Sequence, residues 1–281
     1  MRIFSKAIAA AAAGIMMLGG IGASIPTASA APGGNLVTFG DSFTANPDQL
    51  LNTLRNTPIA NGYPNREGCL QAPNNCPRKL ADQAGKRLED WSCTAQTSRS
   101  MLPRVDRAIA HGHIRNDSTV VFAIGMNNYG PFGALDGTNI ISPSQVRANY
   151  LGDMRAAAAK VRRVAPNAKI VVSGALPTAD RETAKFCAVN VIPNAPAGLP
   201  VPVLRDVENW NRGNQITAAG QIGATYVDMI DGARGHTTCA PDNQRYVAGI
   251  IDTTTPNYNM AFHPTDRGSA YMANKLAPHV R

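Results

Sequence analysis

Four short apolar runs, rich in β-branched residues, recur along the chain and are separated by longer polar or amphipathic stretches. Runs that are nearly continuous in hydrophobicity over so few residues are typical of parallel strands buried on both faces. We therefore predict four buried strands. They span Asn35 to Phe39, Thr119 to Ile124, Lys169 to Ser173, and Thr225 to Ile230.

Helical periodicity occupies the stretches between and after the later runs. Ser144 to Val164 begins with a serine cap beside Pro143 and ends before Pro166, which predicts one long helix. Val203 to Gly223 predicts a second helix, and Ser269 to Leu276 a terminal one. Because strands and helices alternate, the predicted fold class is α/β, a three-layer α/β/α sandwich with a central, mainly parallel sheet. The apolar positions of the second helix are Val203, Val207, Trp210, Ile216 and Ile222.

One segment breaks this alternation. Ala188 to Pro202 is rich in proline, which fixes φ and removes backbone donors, so we expect an irregular surface loop there. A plain connector is the favoured interpretation, and a loop that borders an acyl pocket is the alternative. The prolines are Pro193, Pro196, Pro200 and Pro202.

The N-terminal residues have the three parts of a secretory signal peptide. Arg2 and Lys6 precede an apolar run from Ala7 to Ile25, and Ala28-Ser29-Ala30 has the small-x-small form of a cleavage site. We therefore predict a signal peptide over residues 1–30 and a single domain over residues 31–281. No later stretch approaches the ~20 apolar residues that a membrane-spanning helix needs. The predicted location is extracellular, in solution or associated with the cell wall.

The net charge and the amino-acid composition limit the classes of binding partner that we expect. The formal charge is +8, and removal of Arg2 and Lys6 lowers it to +6, with basic residues spread along the chain. This charge favours solubility and a modest attraction to an anionic cell envelope. No nucleic-acid motif occurs, and aromatic residues at 6% offer little for base stacking. No cysteine pair has zinc-site spacing, and we expect a monomer without a metal or other cofactor.

The first candidate for chemistry is a serine directly after the first predicted strand. Gly40 permits a tight turn at the end of that strand, so the hydroxyl of Ser42 can stand at the carboxyl edge of the sheet. A serine there can be both a nucleophile and, through its own N–H, an oxyanion donor. Gly40-Asp41-Ser42 is also a common turn sequence, so the interpretation depends on finding partners for the serine.

Two further residues can supply those partners. Asn127 follows the second predicted strand within Gly125-Met126-Asn127, where its side-chain amide can reach the same edge of the sheet. His263 is followed by Pro264 and the terminal helix, which gives it a fixed backbone position. Each residue alone has a plain structural explanation, as a turn asparagine or a surface histidine.

In order and spacing, Gly40-Asp41-Ser42, Gly125-x-Asn127 and His263-Pro264 resemble three of the four sequence blocks of the SGNH hydrolases, also called GDSL esterases and lipases. The resemblance extends over nearly all of residues 31–281. It implies that Ser42 is the nucleophile, that His263 is the base, and that Ser42 and Asn127 belong to the oxyanion hole. Further segments resemble the secreted actinobacterial branch: residues 69–81, Trp91-Ser92-Cys93, and Gly235-His236-x-x-Cys239.

The resemblance also implies how the five cysteines pair. It pairs Cys69 with Cys93 and Cys187 with Cys239, and it leaves Cys76 unpaired. A bridge between Cys76 and Cys93 is the alternative, because sequence alone does not determine connectivity. Secretion provides the oxidising setting in which such bridges form.

Two positions depart from the family pattern. The second block normally supplies a glycine N–H to the oxyanion hole, and Ala95 stands there; a small side chain need not abolish a backbone donor. The family's Asp-x-x-His would require aspartate where this chain has Met260. In some members of the secreted branch, a main-chain oxygen three residues before the histidine accepts its Nδ1–H. We therefore expect a Ser-His dyad oriented by the Met260 carbonyl; Asp252 and Asp266 are alternatives without the family spacing.

The expected function is hydrolysis of carboxylic esters, either acyl lipids or small acyl esters, by a secreted serine esterase or lipase. No segment suggests a large amphipathic lid, which favours soluble or short-chain esters. Two alternatives stay open. One is a cell-envelope binding protein with weak or no activity, which Met260 and Ala95 favour. The other is a polysaccharide O-deacetylase that uses the same site.

Overall fold

The structure of the chain is a computed structural model that describes residues 33–281, so the predicted signal peptide lies outside the described residues. The strands in this range are β1 (Asn35–Gly40), β2 (Asn65–Arg66), β3 (Cys69–Leu70), β4 (Arg87–Asp90), β5 (Thr119–Ala123), β6 (Lys169–Ser173), β7 (Lys185–Asn190), β8 (Ala197–Pro200), β9 (Thr225–Val227) and β10 (Ile251–Asp252). Five of them form a central sheet in the order β4-β1-β5-β6-β9, and every pairing in it is parallel.

Helices cover both faces of this sheet. They are α1 (Ser42–Ala45), α2 (Gln49–Thr53), α3 (Cys76–Ala84), α4 (Ser98–Ala110), α5 (Pro131–Leu135), α6 (Pro143–Val164), α7 (Pro202–Gln221) and α8 (Asp266–Val280). Short 3₁₀ segments span Pro58–Ala60, Met126–Tyr129, Asp231–Ala233 and Asp242–Gln244. Helices α3 and α8 pack on one face, and α4, α6 and α7 on the other. The predicted class, a three-layer α/β/α sandwich, is confirmed.

Burial on both faces explains why the central strands can be recognised in the sequence. Alternate side chains of a strand point to opposite faces. Val37 and Phe39 of β1 lie in the core beneath α4, α6 and α7, whereas Leu36 lies in the core beneath α3 and α8. All three are fully buried. A strand in this position needs apolar residues at successive positions rather than at every second one.

Strands β1, β5 and β6 match the predicted runs to within one residue. The fourth run was predicted to continue to Ile230, but β9 ends at Val227. Strand β4 was not predicted as an element because it is an edge strand with the sequence Arg-Leu-Glu-Asp and has no apolar run. Its carboxylate Asp90 is buried and accepts hydrogen bonds from Thr38 and Ser92, which fixes β4 against β1.

The helix bounds differ slightly from the prediction. Helix α6 begins at Pro143 rather than at Ser144, because the capping serine is Ser142. The terminal helix α8 is longer than predicted at both ends, and Thr265 caps it by accepting a hydrogen bond from Gly268 N. Helix α7 begins and ends within two residues of the prediction.

The expectation of an irregular loop over Ala188 to Pro202 is wrong. Residues 185–190 and 197–200 form the antiparallel hairpin β7–β8, and β10 adds a parallel strand on the other side of β7. Pro193 and Pro196 lie in the irregular connection between the two strands, residues 191–196. Pro200 is the last residue of β8, an edge strand, where a missing donor is tolerated. The fourth proline, Pro202, occupies the first turn of α7, where its missing N–H has no partner to lose.

Helix α7 buries its polar side and exposes much of its apolar side. Val203, Trp210 and Ile216 are exposed, although they suggested the helix in the sequence. The buried side chains include Glu208 and Gln215. The Gln215 amide donates to the carbonyls of Ile124 and Ser173, at 3.0 and 3.1 Å, where β5 and β6 end. The helix therefore supplies polar partners to the ends of the sheet, and its apolar cover of the core comes from its last turn, at Ala218 and Ala219.

Two disulfides, Cys69–Cys93 and Cys187–Cys239, join the pairs that the family resemblance implies. Cys76 is a buried free thiol at the start of α3, so it does not bridge to Cys93. Burial raises the pKa of this thiol to about 12, with the nearby carboxylate of Asp90 adding to the effect. Among residues 33–281, no helix is both long and apolar enough to span a membrane.

We predict that the Cys76 thiol is unreactive in the native protein. A neutral, buried thiol is neither nucleophilic nor accessible, so Ellman's reagent should give no signal at neutral pH until the chain is unfolded. Unfolding without reductant should then release one thiol per chain, and Cys76→Ala should remove that signal. Rapid labelling of the native protein would contradict this assignment.

Candidate active site

Ser42 begins α1 directly after β1. Gly40, the last residue of β1, lies so close to the next turn that a Cβ on it would be 2.3 Å from Thr44 Oγ1. Only glycine therefore permits the chain to turn from strand to helix within one residue. The result is that Ser42 is half-buried at the carboxyl edge of the sheet.

Asp41 holds this turn. Its carboxylate caps α1 by accepting a hydrogen bond from Phe43 N at 2.9 Å. The carboxyl group is buried, and burial raises its pKa to about 7 against the opposing effect of the backbone donors. From the sequence, Asp41 was expected only to be part of a turn. Its position directly before a helix was the available signal, because aspartate is a preferred N-cap residue.

The chain beyond β4 continues beside β1 and leads to Ala95. Trp91 N donates to the Thr38 carbonyl at 2.8 Å, and Cys93 N donates to the Gly40 carbonyl at 3.0 Å. Ala95 follows with φ 66°, in the left-handed region. Glycine adopts this region at little cost, which accounts for the glycine that the family pattern has at this position.

Asn127 lies in the 3₁₀ segment after β5 and is tied to the loop that contains Ala95. Its Nδ2 donates to the Gln96 carbonyl at 2.9 Å, which leaves its second amide proton for another acceptor. The neighbouring Asn128 exchanges two hydrogen bonds with Ser98 at the start of α4. The two loops that carry Asn127 and Ala95 are therefore held together by polar side chains.

His263 is oriented by a main-chain carbonyl, but not by the expected one. Its Nδ1 lies 2.8 Å from the carbonyl oxygen of Ala261, two residues earlier. The expectation that the Met260 carbonyl would accept this bond is wrong. Phe262 has φ 61°, and this left-handed residue reverses the chain so that the Ala261 carbonyl, not the preceding one, faces the imidazole. A carbonyl acceptor requires the proton on Nδ1 and leaves Nε2 as the basic nitrogen.

The two alternative carboxylates have other partners. Asp252 is buried and accepts hydrogen bonds from the backbone N–H and hydroxyl groups of Thr255. Asp266 forms an ion pair with Lys79 at 2.8 Å. Among the described residues, neither carboxylate contacts His263.

Ser42, Asn127 and His263 line one cavity of about 170 Å³. The Nε2 atom of His263 is buried, and no group in the described part of the chain hydrogen-bonds to it. Ala95 is not among the residues that line this cavity. The other lining residues, mostly apolar, are Asp41, Phe43, Met126, Leu176, Thr178, Leu204 and Phe262.

Burial lowers the pKa of His263, because the imidazolium loses solvation, while the hydrogen bond to the Ala261 carbonyl acts in the opposite direction. The neutral form, which is the form that can accept a proton, is therefore favoured. Phe43 packs against the ring with 5.1 Å between ring centroids, and this apolar contact contributes to the loss of solvation.

Glu208 supports the cavity wall from behind. One of its carboxylate oxygens accepts hydrogen bonds from Thr178 N at 2.7 Å and Ala179 N at 3.3 Å. Burial raises the pKa of this carboxyl group. Thr178 lines the cavity, so Glu208 fixes the loop that follows β6. The sequence offered no signal for this role, because a glutamate within a helix is ordinarily exposed.

His236 and His113 have structural contacts outside the cavity. His236 stacks on Tyr246 with 4.2 Å between ring centroids, and its Nδ1 lies 2.8 Å from the Gln244 carbonyl. His113 lies beside Trp91 and Glu89. Within residues 33–281, no group of three or more His, Cys, Asp or Glu side chains could hold a metal ion.

A hydroxyl, a basic nitrogen and an amide donor around one cavity are the groups that acyl transfer to a serine requires. The sequence model of the GDSL-like Lipase/Acylhydrolase family matches residues 38–271. The chain therefore belongs to this family, whose other name is the SGNH hydrolases, and it is a carboxylic ester hydrolase.

Individual relatives agree with this assignment. The chain is 27% identical to Lipase 2 of Streptomyces coelicolor over 274 residues, which cover 89% of this chain and 88% of that protein. Its fold is similar to that of phospholipase A1 from Streptomyces albidoflavus, with TM-score 0.56, 16% identity, and coverage of 88% of this chain and 98% of that one. It is also similar to an extracellular lipase from Streptomyces rimosus, with TM-score 0.57, 15% identity, and coverage of 88% and 100%.

We predict that Ala95→Gly stabilises the protein without lowering its turnover. An alanine in the left-handed region costs about 1–2 kcal/mol, partly offset by the greater freedom of glycine in the unfolded chain. The free energy of unfolding, measured by urea denaturation, should rise by up to about 1 kcal/mol, and kcat should be retained because the backbone N–H remains. Ala184 is also left-handed, with φ 56°, and it lies outside the cavity. Ala184→Gly is therefore the control that shows the effect of relieving backbone strain at a position away from the site. A tenfold loss of kcat in Ala95→Gly alone would contradict the prediction.

We also predict the pH dependence of the activity. Because burial lowers the pKa of His263, kcat/KM should fall on acidification with a midpoint below the usual histidine value of ~6.5. Asp41, in the same cavity, has a pKa of about 7, so the profile should be repeated with Asp41→Asn to separate the two groups. A midpoint above the usual histidine value that persists in Asp41→Asn would contradict the assignment of His263.

Proposed function

We propose that the protein is a secreted serine esterase or lipase that forms an acyl-enzyme on Ser42 with His263 as the base. One observation carries this proposal: Ser42, Asn127 and the unpartnered Nε2 side of His263 converge on a single cavity from three separate parts of the chain. A structural role would not require these three groups to meet. Ester hydrolysis requires it, because the nucleophile, base and oxyanion donor must contact one carbonyl group.

In the proposed reaction, His263 moves a proton in each of the two steps. Neutral His263 takes the proton of the Ser42 hydroxyl at Nε2, and the serine oxygen attacks the ester carbonyl. The imidazolium then protonates the leaving alcohol, which leaves an acyl group on Ser42. Water attacks this acyl group with His263 again as base, and the carboxylic acid is released.

Three donors stabilise the tetrahedral oxyanion in this scheme. They are the backbone N–H groups of Ser42 and Ala95 and the second amide proton of Asn127. The hydrogen bond from Asn127 to Gln96 supports this assignment because it fixes the amide before substrate arrives. Donors that are already in position stabilise the transition state more than mobile donors do, since no reorganisation is needed during the reaction.

A main-chain carbonyl takes the place of the carboxylate of a full triad. The Ala261 carbonyl fixes the tautomer and orientation of His263. It carries no charge, so it stabilises the imidazolium less than a carboxylate would. The dyad is therefore a weaker base-activating unit than a triad but retains its geometry.

The substrate class in this proposal is acyl lipids or small acyl esters. The apolar side chains in the cavity, such as Leu176, Leu204 and Phe262, support an acyl group next to the reacting carbonyl. Two of the similar proteins are named as lipases and one as a phospholipase A1. Deacetylation of a polysaccharide would use the same groups, and the substrate test below distinguishes it.

Secretion is the remaining part of the proposal. A leader over residues 1–30 would be removed to leave residues 31–281 as a single, monomeric domain. Two disulfides suit an oxidising compartment, and a similar structure is that of an extracellular lipase. The positive charge of the chain supports association with an anionic cell envelope.

The central prediction concerns Ser42 and Asn127. Residues 31–281 should hydrolyse p-nitrophenyl esters and be labelled by a fluorophosphonate probe, and Ser42→Ala should abolish both. Asn127→Ala should lower kcat by about 10²–10³ because one oxyanion donor is lost. The measurements are initial rates and probe labelling, with circular dichroism to verify the fold of each variant.

The matched control is Ser144→Ala, a serine outside the cavity, which should leave both signals unchanged. Chelators should have no effect on the rate, since no step uses a metal. Turnover that survives Ser42→Ala would exclude the scheme. Release of acetate from an acetylated glycan, with no turnover of acyl lipids, would instead identify a deacetylase.

A further inference from the structure

A second cavity lies on the β7–β8 hairpin and is larger than the catalytic one. Its volume is about 480 Å³, against about 170 Å³ for the cavity that contains Ser42. Residues of β7 and β8, together with Val201 just before α7, line it, and they include Phe186, Val189 and Leu199. We call this cavity the hairpin groove.

The hairpin groove lies next to the catalytic cavity, although the two share no lining residue. Phe262, which lines the catalytic cavity, packs edge-on against Phe186 of the groove with 5.2 Å between ring centroids. On another side, Val201 lines the groove and Leu204 lines the catalytic cavity, and the two are joined by a backbone hydrogen bond of 3.0 Å. The first connection is a contact between aromatic side chains, and the second is a single turn of backbone.

The side chains that line the groove are all apolar. No residue that lines it has a charged or polar side chain. Leu199 is 74% exposed, and Val191, Ile192 and Val203 nearby in the chain are also exposed. Exposed apolar area of this kind is a cost in water unless a ligand covers it. A volume of this size lies within the range of small-molecule sites.

The groove is also firmly built. Cys187 of β7 is bridged to Cys239, and its backbone N–H donates to Thr238 Oγ1 at 3.0 Å. A Cβ on Gly198 of β8 would lie 2.0 Å from the Phe186 carbonyl, so the two strands are in close contact at the floor of the groove. A preformed groove loses little conformational entropy when a flexible chain binds.

We propose that the hairpin groove binds the hydrocarbon chain of the ester substrate while the ester group occupies the catalytic cavity. This inference rests on the proposed function, and it extends that function to esters with a long acyl or alkyl chain. The occupant is a substrate chain because the groove adjoins the catalytic cavity through Phe262 and Leu204. A surface for a protein partner would not need to lie beside the catalytic cavity.

The test compares kcat/KM across two ester series in the parent protein. One series has p-nitrophenyl esters from acetyl to dodecanoyl, and the other has acetate esters of alcohols from ethanol to dodecanol. The series whose chain enters the groove should gain up to about fourfold per added methylene until the groove is filled. An increase in the first series identifies an acyl site, and an increase in the second identifies an alkyl site. Flat profiles in both series would overturn the inference.

The groove variants are Leu199→Asp, which places a charge beside the chain, and Ala197→Trp, which fills the groove from β8. Each should lower the ratio of kcat/KM for the dodecyl substrate to that for the shortest one by at least about tenfold, because a charge or a bulky ring removes the apolar contact. The matched control is Ile141→Asp, a residue that is 89% exposed and outside the groove. It should leave the ratio unchanged.

The outcomes separate this inference from the proposed function. If both groove variants are folded and retain the parent ratio, the hydrocarbon chain binds elsewhere and the inference falls, while turnover that depends on Ser42 still supports the esterase. A change of oligomeric mass in Leu199→Asp without a change in the ratio would identify the groove as a contact between copies. If no ester in either series is hydrolysed, both proposals fall.

Discussion

The approach of the β1–α1 turn to β5 at Gly40 is the constraint on which the site depends. A side chain on Gly40 would collide with Thr44 and come within 2.9 Å of the Ala123 carbonyl, so only glycine lets β1 end beside β5. Two consequences follow. Ser42 emerges at the carboxyl edge of the sheet next to the strand that leads to Asn127. The Gly40 carbonyl also stays free to accept the Cys93 N–H, which guides the chain beyond β4 toward Ala95. One small residue thus sets the relative positions of three segments.

Polar side chains fix the carboxyl edge of the sheet. Carbonyl groups at strand ends that are shielded from water need partners, since an unpaired buried polar group costs about 1–3 kcal/mol. Helix α7 supplies them: Gln215 serves the ends of β5 and β6, and Glu208 holds the loop after β6 at Thr178. These contacts hold the wall of the cavity that contains Ser42. They also explain why α7 turns Trp210 and Ile216 outward, because its inner side is already occupied by amide and carboxyl groups.

Main-chain groups compensate for both departures from the family pattern. Ala95 stands where glycine is usual, and Met260 stands where an aspartate is usual. The chain accepts a left-handed conformation at Ala95, and again at Phe262, where it brings the Ala261 carbonyl to His263. Each left-handed residue costs about 1–2 kcal/mol, which the surrounding packing must offset. At both positions the local geometry follows from backbone conformation and not from the side chains that the pattern would supply.

The sequence by itself determined the sandwich, the central strands and three of the residues that line the cavity, Ser42, Asn127 and His263. Strands buried on both faces are apolar at most positions, and a buried polar exception such as Thr38 has a hydrogen-bond partner. Ser42, Asn127 and His263 stand at strand ends or before a helix, where their types are informative. Tertiary structure alone decided the rest. The β7–β8 hairpin was not predicted because proline at an edge strand resembles proline in a loop. The burial of Glu208 and Gln215 depends on which strand ends α7 covers, and the choice of Ala261 over Met260 depends on one φ angle. Such features arise from the backbone and from distant contacts, and these leave no periodic or compositional signal in the chain.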